Sequence, residues 1–210
     1  MIIRPTSQLE FELLPSRALY WPIRHVLVVA DLHLGRIVSR APKFVEDVQN
    51  ALHRVSDALV QTQATRLLFL GDVFHMRNAY HPDIVQVFDT WRASHAHIEM
   101  TLIRGNHERA MGDPPSQLCL QCVNPGYEEG GVTFLHEPRL MSTFTICAHL
   151  HPCLLVPTDR AIATTVPCFV WNQEYLFMPA FEDTIPGRVI SRRFDEQYAC
   201  IHNQQVVMYP

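Results

Sequence analysis

Three short apolar runs in the first half of the chain each stop at a turn, and between them lie two segments of helical periodicity. The runs are residues 25–30, 66–70 and 98–103. Residues 44–63 carry Phe44, Val48, Leu52, Val55 and Leu59 at steps of three and four, and residues 83–94 place Ile84, Phe88 and Trp91 on one face. Strand, helix, strand, helix, strand with short connections predicts crossover units stacked into a largely parallel sheet. Ligand sites in such sheets gather beyond the carboxyl ends of the strands.

The second half changes character. Residues 108–131 are rich in Gly, Pro and Cys and read equally as a substrate-facing lid or as a plain connection. Residues 132–135, 143–147, 166–171, 174–178, 189–193 and 205–209 then read as short strands without helices between them. An α/β half feeding a β-rich half predicts two sheets packed face to face in a single domain over residues 1–210. The stretch before residue 25, punctuated by Pro5, Pro15 and Pro22, receives no element.

Composition narrows the partners. Hydrophobic residues at 48% and charged residues at 18% describe a globular protein rather than a disordered one. Seventeen basic against twenty-one acidic side chains give a net charge of −4, so nucleic acid is not held by the whole surface. Contact with phosphate must come from a local patch or from a metal. Sixteen of the cations are arginine, Lys43 being the exception. No apolar stretch near the start suits a signal peptide, and the run at 26–30 is far too short to span a bilayer, so a soluble cytoplasmic protein without membrane contact is expected. Of the six cysteines only Cys119 and Cys122 form a close pair, and reduced thiols are expected.

Twelve histidines carry the functional argument. Five places put metal-capable side chains just after predicted strands: Asp31-Leu-His33, Gly71-Asp72, Gly105-Asn106-His107, His136, and His149-Leu-His151. Extended backbone would aim residues i and i+2 the same way, so Asp31 with His33, and His149 with His151, are expected to converge in pairs. Three oxygen donors and four imidazoles without thiolate suit Mn²⁺, Fe or Zn²⁺ and argue against a structural zinc site. Seven donors exceed one tetrahedral shell and fit two ions sharing a carboxylate. Two divalent ions, less two carboxylates and one hydroxide, leave about one positive charge, which favours an anionic substrate.

In order and spacing these blocks, with Glu108 after His107, resemble the calcineurin-like metallophosphoesterases over residues 26–152. The resemblance implies a four-layered α/β/β/α sandwich of two mixed sheets. It implies one divalent ion, most simply Mn²⁺, on Asp31, His33, Asp72 and His151, and a second on Asp72, Asn106, His136 and His149. His107 would contact the phosphate and protonate the leaving oxygen, with Glu108 as its orienter. Arg36, Arg77, Arg104 and Arg109 flank the blocks as candidate phosphate clamps.

Within the superfamily the chain is most similar to the bacterial ligase-associated DNA damage response endonuclease group. Val29–Gly35, Leu70–His75, Ile103–His107, His136-Glu-Pro138 and His149–Pro152 carry that likeness, as do Val166–Phe169 and Met178-Pro-Ala-Phe181 outside the metal blocks. Ala148 stands where glycine is usual and Glu108 where aspartate is usual. The group implies a phosphodiesterase or nuclease of DNA repair, with DNA as substrate and a DNA ligase or helicase as partner. The oligomeric state stays open. The alternatives are a phosphoesterase of small substrates such as cyclic nucleotides, and a silent binding scaffold, which the complete ligand set and His107 disfavour. His75 reads as loop packing with a site contact as the rival, and Phe169 and Trp171 as core rather than as base-stacking rings.

Overall fold

The computed structural model describes residues 1–36, 43–75, 80–139, 141–157, 163–185 and 187–210, with backbone alone at 43 and 44. The first sheet, among these residues, has seven strands in chain order: β1 (Ile2–Thr6), β2 (Leu9–Leu13), β3 (Leu19–Trp21), β4 (Val26–Val29), β5 (Arg66–Phe69), β6 (Glu99–Ile103) and β7 (Gln121–Val123). Pairing is antiparallel from β1 to β4 and parallel from β4 to β7. Helices α1 (Lys43–Thr62) and α2 (Pro82–Ser94) provide the crossovers from β4 to β5 and from β5 to β6. The predicted parallel core is present, and β1–β3 extend it with a meander that the prolines concealed.

Strand alternation explains the layers. Val26 and Val28 face the second sheet, whereas Leu27 and Val29 face the helices. On the helix side α1 contributes Val48, Leu52, Val55 and Leu59, and α2 contributes Ile84, Phe88 and Trp91. The Phe44 side chain, expected on the same stripe, lies outside the described residues. Phe88 is fully buried, a contribution on the order of 1.5–3 kcal/mol. The Trp91 indole N–H donates to the Ser56 hydroxyl at 2.8 Å.

After the short α3 (Asn106–Met111) and β7, the chain enters the second sheet, which holds nine strands among the described residues: β8 (Gly126–Glu129), β9 (Val132–Leu135), β10 (Phe144–Cys147), β11 (Pro152–Pro157), β12 (Ala163–Trp171), β13 (Tyr175–Phe177), β14 (Arg188–Val189), β15 (Gln197–His202) and β16 (Gln205–Tyr209). Its main path runs β14, β11, β12, β13, β10, β9, β8, with β15 on β12 and β16 on β15. Pairing is mixed: β9, β10 and β13 are parallel neighbours, while β11, β12, β15 and β16 pair antiparallel. Phe134, Ile146, Phe169, Trp171 and Met178 pack against Phe11, Trp21, Val28 and Leu70 between the sheets. Phe169 and Trp171 are therefore core side chains. The outer face of this sheet buries Leu154, Val166, Cys168, Val170, Tyr198 and Cys200 beneath Ile190 and Tyr209, without a helix in the cluster.

Residues 108–131 run as a connection between the sheets. They complete α3, add β7 to the first sheet and then β8 to the second.

Candidate metal centre

All five chemistry-bearing blocks emerge from carboxyl ends of adjacent parallel strands. Asp31 and His33 follow β4, Asp72 follows β5, Asn106 and His107 follow β6, His136 follows β9, and His149 and His151 follow β10. One edge of the sandwich therefore gathers residues from both sheets.

The pairs converge for a different reason from the one the sequence suggests. Asp31, His33, Asp72, His149 and His151 have φ values of 53°, 46°, 49°, 66° and 45°, all in the left-handed region. Extended backbone does not aim these residues; tight turns do. Non-glycine residues in this region cost about 1–3 kcal/mol each and persist where surroundings over-determine them. Here the His33 N–H donates to the Asp72 carbonyl at 2.9 Å, and the Asp31 N–H to that of Gly71 at 3.2 Å. Gly71 itself has φ +80°, and a Cβ there would stand 2.3 Å from His136 Nδ1. A Cβ on Gly105 would lie 2.0 Å from Asp72 Oδ1. Gly71 leaves room for the His136 ring and Gly105 for the Asp72 carboxylate.

Three donor clusters result among the described residues: His33, His75 and His107 form one, and the other two are drawn from the expected ligand sets. In the first of these two, Asp31 Oδ1 lies 3.2 Å from His151 Nε2 and 3.8 Å from His33 Nε2. In the second, Asp72 Oδ2 lies 3.4 Å from His136 Nε2, which is 3.3 Å from His149 Nδ1 and 3.2 Å from Asn106 Oδ1. Nitrogen and oxygen ligands ~2.0–2.2 Å from one ion stand roughly 3–3.5 Å apart, so both clusters have the spacing of shared coordination. The first also carries the mark of a missing partner: Asp31 Oδ1 and His33 Nε2 are buried without a hydrogen bond. The donor chemistry and these orphaned atoms fit metal ions.

Electrostatics separates the clusters. Burial pushes the His33 imidazole down to about 4, against the raising pull of Asp31 and Asp72. Burial acts the same way on His136, but the hydrogen bond to Asp72 and the two carboxylates outweigh it and raise that ring to about 9. Asp72, despite burial, is held at about 2 by the hydrogen bond and charge of His136, the His107 backbone N–H and the His107 charge.

His107 sits at the mouth, its Nε2 3.6 Å from Asp72 Oδ2, while its backbone N–H donates to Asp72 Oδ1 at 2.9 Å. Glu108, expected to orient His107, has other partners. Its buried carboxylate accepts the backbone N–H groups of Asp72, Val73 and Gly105 at 2.9 Å and of Phe74 at 3.2 Å. It binds the β5 loop to the β6 loop and thereby positions Asp72 beside Asn106. Burial and the Asp72 charge raise its pKa while these amides pull it down.

The arginines divide. Arg104 makes a two-pronged pair with Asp113 at 2.5 and 2.7 Å, and Arg109 pairs with Glu137 at 2.8 Å. Arg36 is half-buried, and its charge acts on His75. Arg77 lies outside the described residues. His75 joins the site, its Nδ1 3.1 Å from His33 Nδ1.

Sequence reasoning missed the support beneath Asp31. The Met178–Phe181 segment crosses from the second sheet to the first: the Met178 N–H donates to the Cys147 carbonyl and the Phe181 N–H to that of Ala30, both at 2.8 Å. Arg17 donates to the Glu182 carbonyl and Arg54 to the Phe181 carbonyl, both at 2.9 Å, and both arginines pair with Asp183. The motif Met178-Pro-Ala-Phe181 was the available signal; its two arginine partners had none.

A model of the calcineurin-like phosphoesterase family matches residues 24–162, and the chain belongs to that family. Among solved structures, the crystal structure of Pseudomonas putida nuclease MPE superposes with a TM-score of 0.90 at 28% identity, covering 100% of this chain and 99% of that one. The E. coli phosphoesterase YfcE is similar at 17% identity and a TM-score of 0.44, covering 87% of this chain and 96% of its own. No curated protein matches the chain closely enough to count as a relative. No helix among the described residues is long and apolar enough to cross a membrane.

Proposed function

We propose that the chain is a dinuclear-metal-dependent phosphodiesterase acting on nucleic acid, of the ligase-associated DNA damage response endonuclease type. The observation that carries the metal-dependent reading is the pair of donor clusters sharing one strand-end edge, with Asp31 Oδ1 and His33 Nε2 buried and unpartnered. The nucleic-acid part rests on similarity to a nuclease along the whole chain.

Asp31, His33, Asp72 and His151 would hold one divalent cation and Asp72, Asn106, His136 and His149 the other, Mn²⁺ suiting this oxygen and imidazole set; bound there, the pair supplies Lewis acidity and lowers the pKa of water. The protein's own groups do the rest. Asp72 belongs to the second cluster, and its carboxylate also acts on His33 of the first. His107 presents a partly exposed imidazole beside Asp72, where it can hold a proton at Nε2 and pass it to the departing oxygen. Arg36 is the clamp this reading favours for a phosphate oxygen, because Arg104 and Arg109 already face carboxylates.

A net charge of −4 and those engaged arginines favour a second reading, a small diester such as a cyclic nucleotide. Hydrolysis of bis-p-nitrophenyl phosphate and p-nitrophenyl phosphate after chelation and Mn²⁺ return tests the core of both. Mn²⁺-dependent diester turnover lost in His107→Ala is expected; monoester preference would overturn the assignment. Nicking of circular single-stranded DNA then separates the nuclease from the small-diester enzyme.

A further inference from the structure

His75 has no role in that reading, yet it is fixed against one of its principal residues. The loops after β4 and β5 are zipped by backbone hydrogen bonds: Leu34 N–H to the Val73 carbonyl at 2.7 Å and His75 N–H to the Leu34 carbonyl at 2.9 Å. This register holds the His75 and His33 rings edge to face, 5.2 Å between centroids, with the Nδ1 atoms 3.1 Å apart. Two nitrogens at that distance share a single proton, one donating and one accepting.

The opposite edge of His33 decides which. Its Nε2 is buried, has no hydrogen-bond partner and points into the cluster of Asp31 and His151. A neutral imidazole that offers Nε2 as a lone pair carries its proton on Nδ1, and the partner of that second nitrogen selects the tautomer. His33 therefore donates through Nδ1 and His75 Nδ1 accepts, which leaves the His75 proton on Nε2. We propose that His75 is a positioning residue, which locks His33 in the Nδ1–H tautomer and aims its Nε2 lone pair into the Asp31–His33–His151 cluster. The inference rests on the metal-centre reading, which makes Nε2 a lone pair, while the contact of Nδ1 with His75 is in place without a cation.

Two measurements test it. Long-range ¹H–¹⁵N correlation of the histidine rings in metal-free protein is expected to find His33 protonated on Nδ1 and His75 on Nε2. Calorimetric titration with Mn²⁺ then compares wild type with His75→Leu, which fills the space without accepting, and His75→Asn, whose amide oxygen can stand where Nδ1 stands. Expected is a ~10–100-fold loss of affinity at one of two sites in His75→Leu and recovery to within about threefold in His75→Asn. Circular dichroism melts establish that both variants are folded. His33 protonated on Nε2, or a folded His75→Leu binding Mn²⁺ as wild type does, would overturn the proposal. The expected tautomers in a wild type that binds no Mn²⁺ would uphold the proton lock and remove the metal centre instead.

Discussion

The two donor clusters differ in what holds them together without an ion. In the second, His136 is bound on every side: Nδ1 to the Leu70 carbonyl at 2.8 Å, Nε2 near Asp72 and Asn106. A proton on that ring closes the cluster as an ion pair. In the first, Asp31 Oδ1 faces His33 and His151 without accepting a hydrogen bond, and burial keeps His33 neutral. Tight turns, the Phe181–Arg54 strap and a single side-chain bond, Asp31 Oδ2 accepting the His149 N–H at 3.1 Å, support this cluster. One half of the centre is thus self-sufficient, and the other depends on what it binds.

Substitution of the two carboxylates separates the halves most strongly. Asp72→Asn removes the counter-charge of His136 and a carboxylate that also acts on His33. Diester hydrolysis should fall by at least ~10²-fold, the scale on which single electrostatic contributors act. Asp31→Asn should be comparably inactive. In chelator, however, the pair should diverge: Asp72→Asn loses a satisfied buried ion pair, whereas Asp31→Asn removes a carboxylate oxygen that lacks a partner. The melting temperature of metal-free Asp31→Asn should exceed that of Asp72→Asn. The reverse order would show that the first cluster is the self-supporting one.

Packing makes the next test. A Cβ at Gly105 would meet Asp72 Oδ1 at 2.0 Å and the Asp72 backbone nitrogen at 2.5 Å, and neither can retreat while Glu108 grips that loop. Gly105→Ala should cost about 1–3 kcal/mol in urea unfolding. Mn²⁺ binding at the second cluster should weaken with it.

How much of this was legible varies with the distance over which its cause acts. Apolar runs at 66–70 and 98–103 revealed strands, and the residues just past them revealed the donors, because both signals are local. The left-handed turns at Asp31 and His33 left no trace, since φ there is imposed by backbone bonds to the neighbouring loop rather than chosen by residue type. The β1–β3 meander had its alternation in Leu9, Phe11 and Leu13 against Glu10 and Glu12, but the prolines at 5, 15 and 22 outweighed it. Glu108 was read as a partner of its neighbour in sequence. Its true partners include amides 34–36 residues upstream, which no spacing rule reaches.

Acidity offers a finer comparison. His33 titrates near 4 in the folded protein against 6.5 free, so the stability tied to its neutral form is lost as pH falls from about 6.5 toward 4. His136 titrates near 9, so the stability tied to its proton is present below 6.5 and lost as pH rises through 9. The metal-free protein should therefore melt highest near pH 6.5 as far as these rings contribute. With His136 in the proposed ligand set, Mn²⁺ binding requires its deprotonation, so affinity should climb between pH 6.5 and 9 with release of a proton, measurable by calorimetry in buffers of different ionisation heat. A pH-independent affinity across that range would remove His136 from the ligand set.

The arginines extend the asymmetry outward, with the smallest effects. Arg36 stands on the His75 side with no carboxylate paired to it among the described residues, whereas Arg104 and Arg109, on the Asn106 and His136 side, are matched by Asp113 and Glu137. Partly exposed ion pairs contribute roughly 0–1 kcal/mol, so breaking them costs little fold stability, but each carboxylate cancels charge that a phosphate would otherwise meet. A charge-assisted hydrogen bond to substrate contributes about 1.5–3 kcal/mol, which is tenfold or more in binding. Arg36→Ala should therefore raise KM for bis-p-nitrophenyl phosphate about tenfold at nearly constant kcat. Arg104→Ala and Arg109→Ala should stay within about threefold. Equal losses from Arg36→Ala and Arg104→Ala would mean that substrate draws Arg104 away from Asp113, and the asymmetry would end at the ligands.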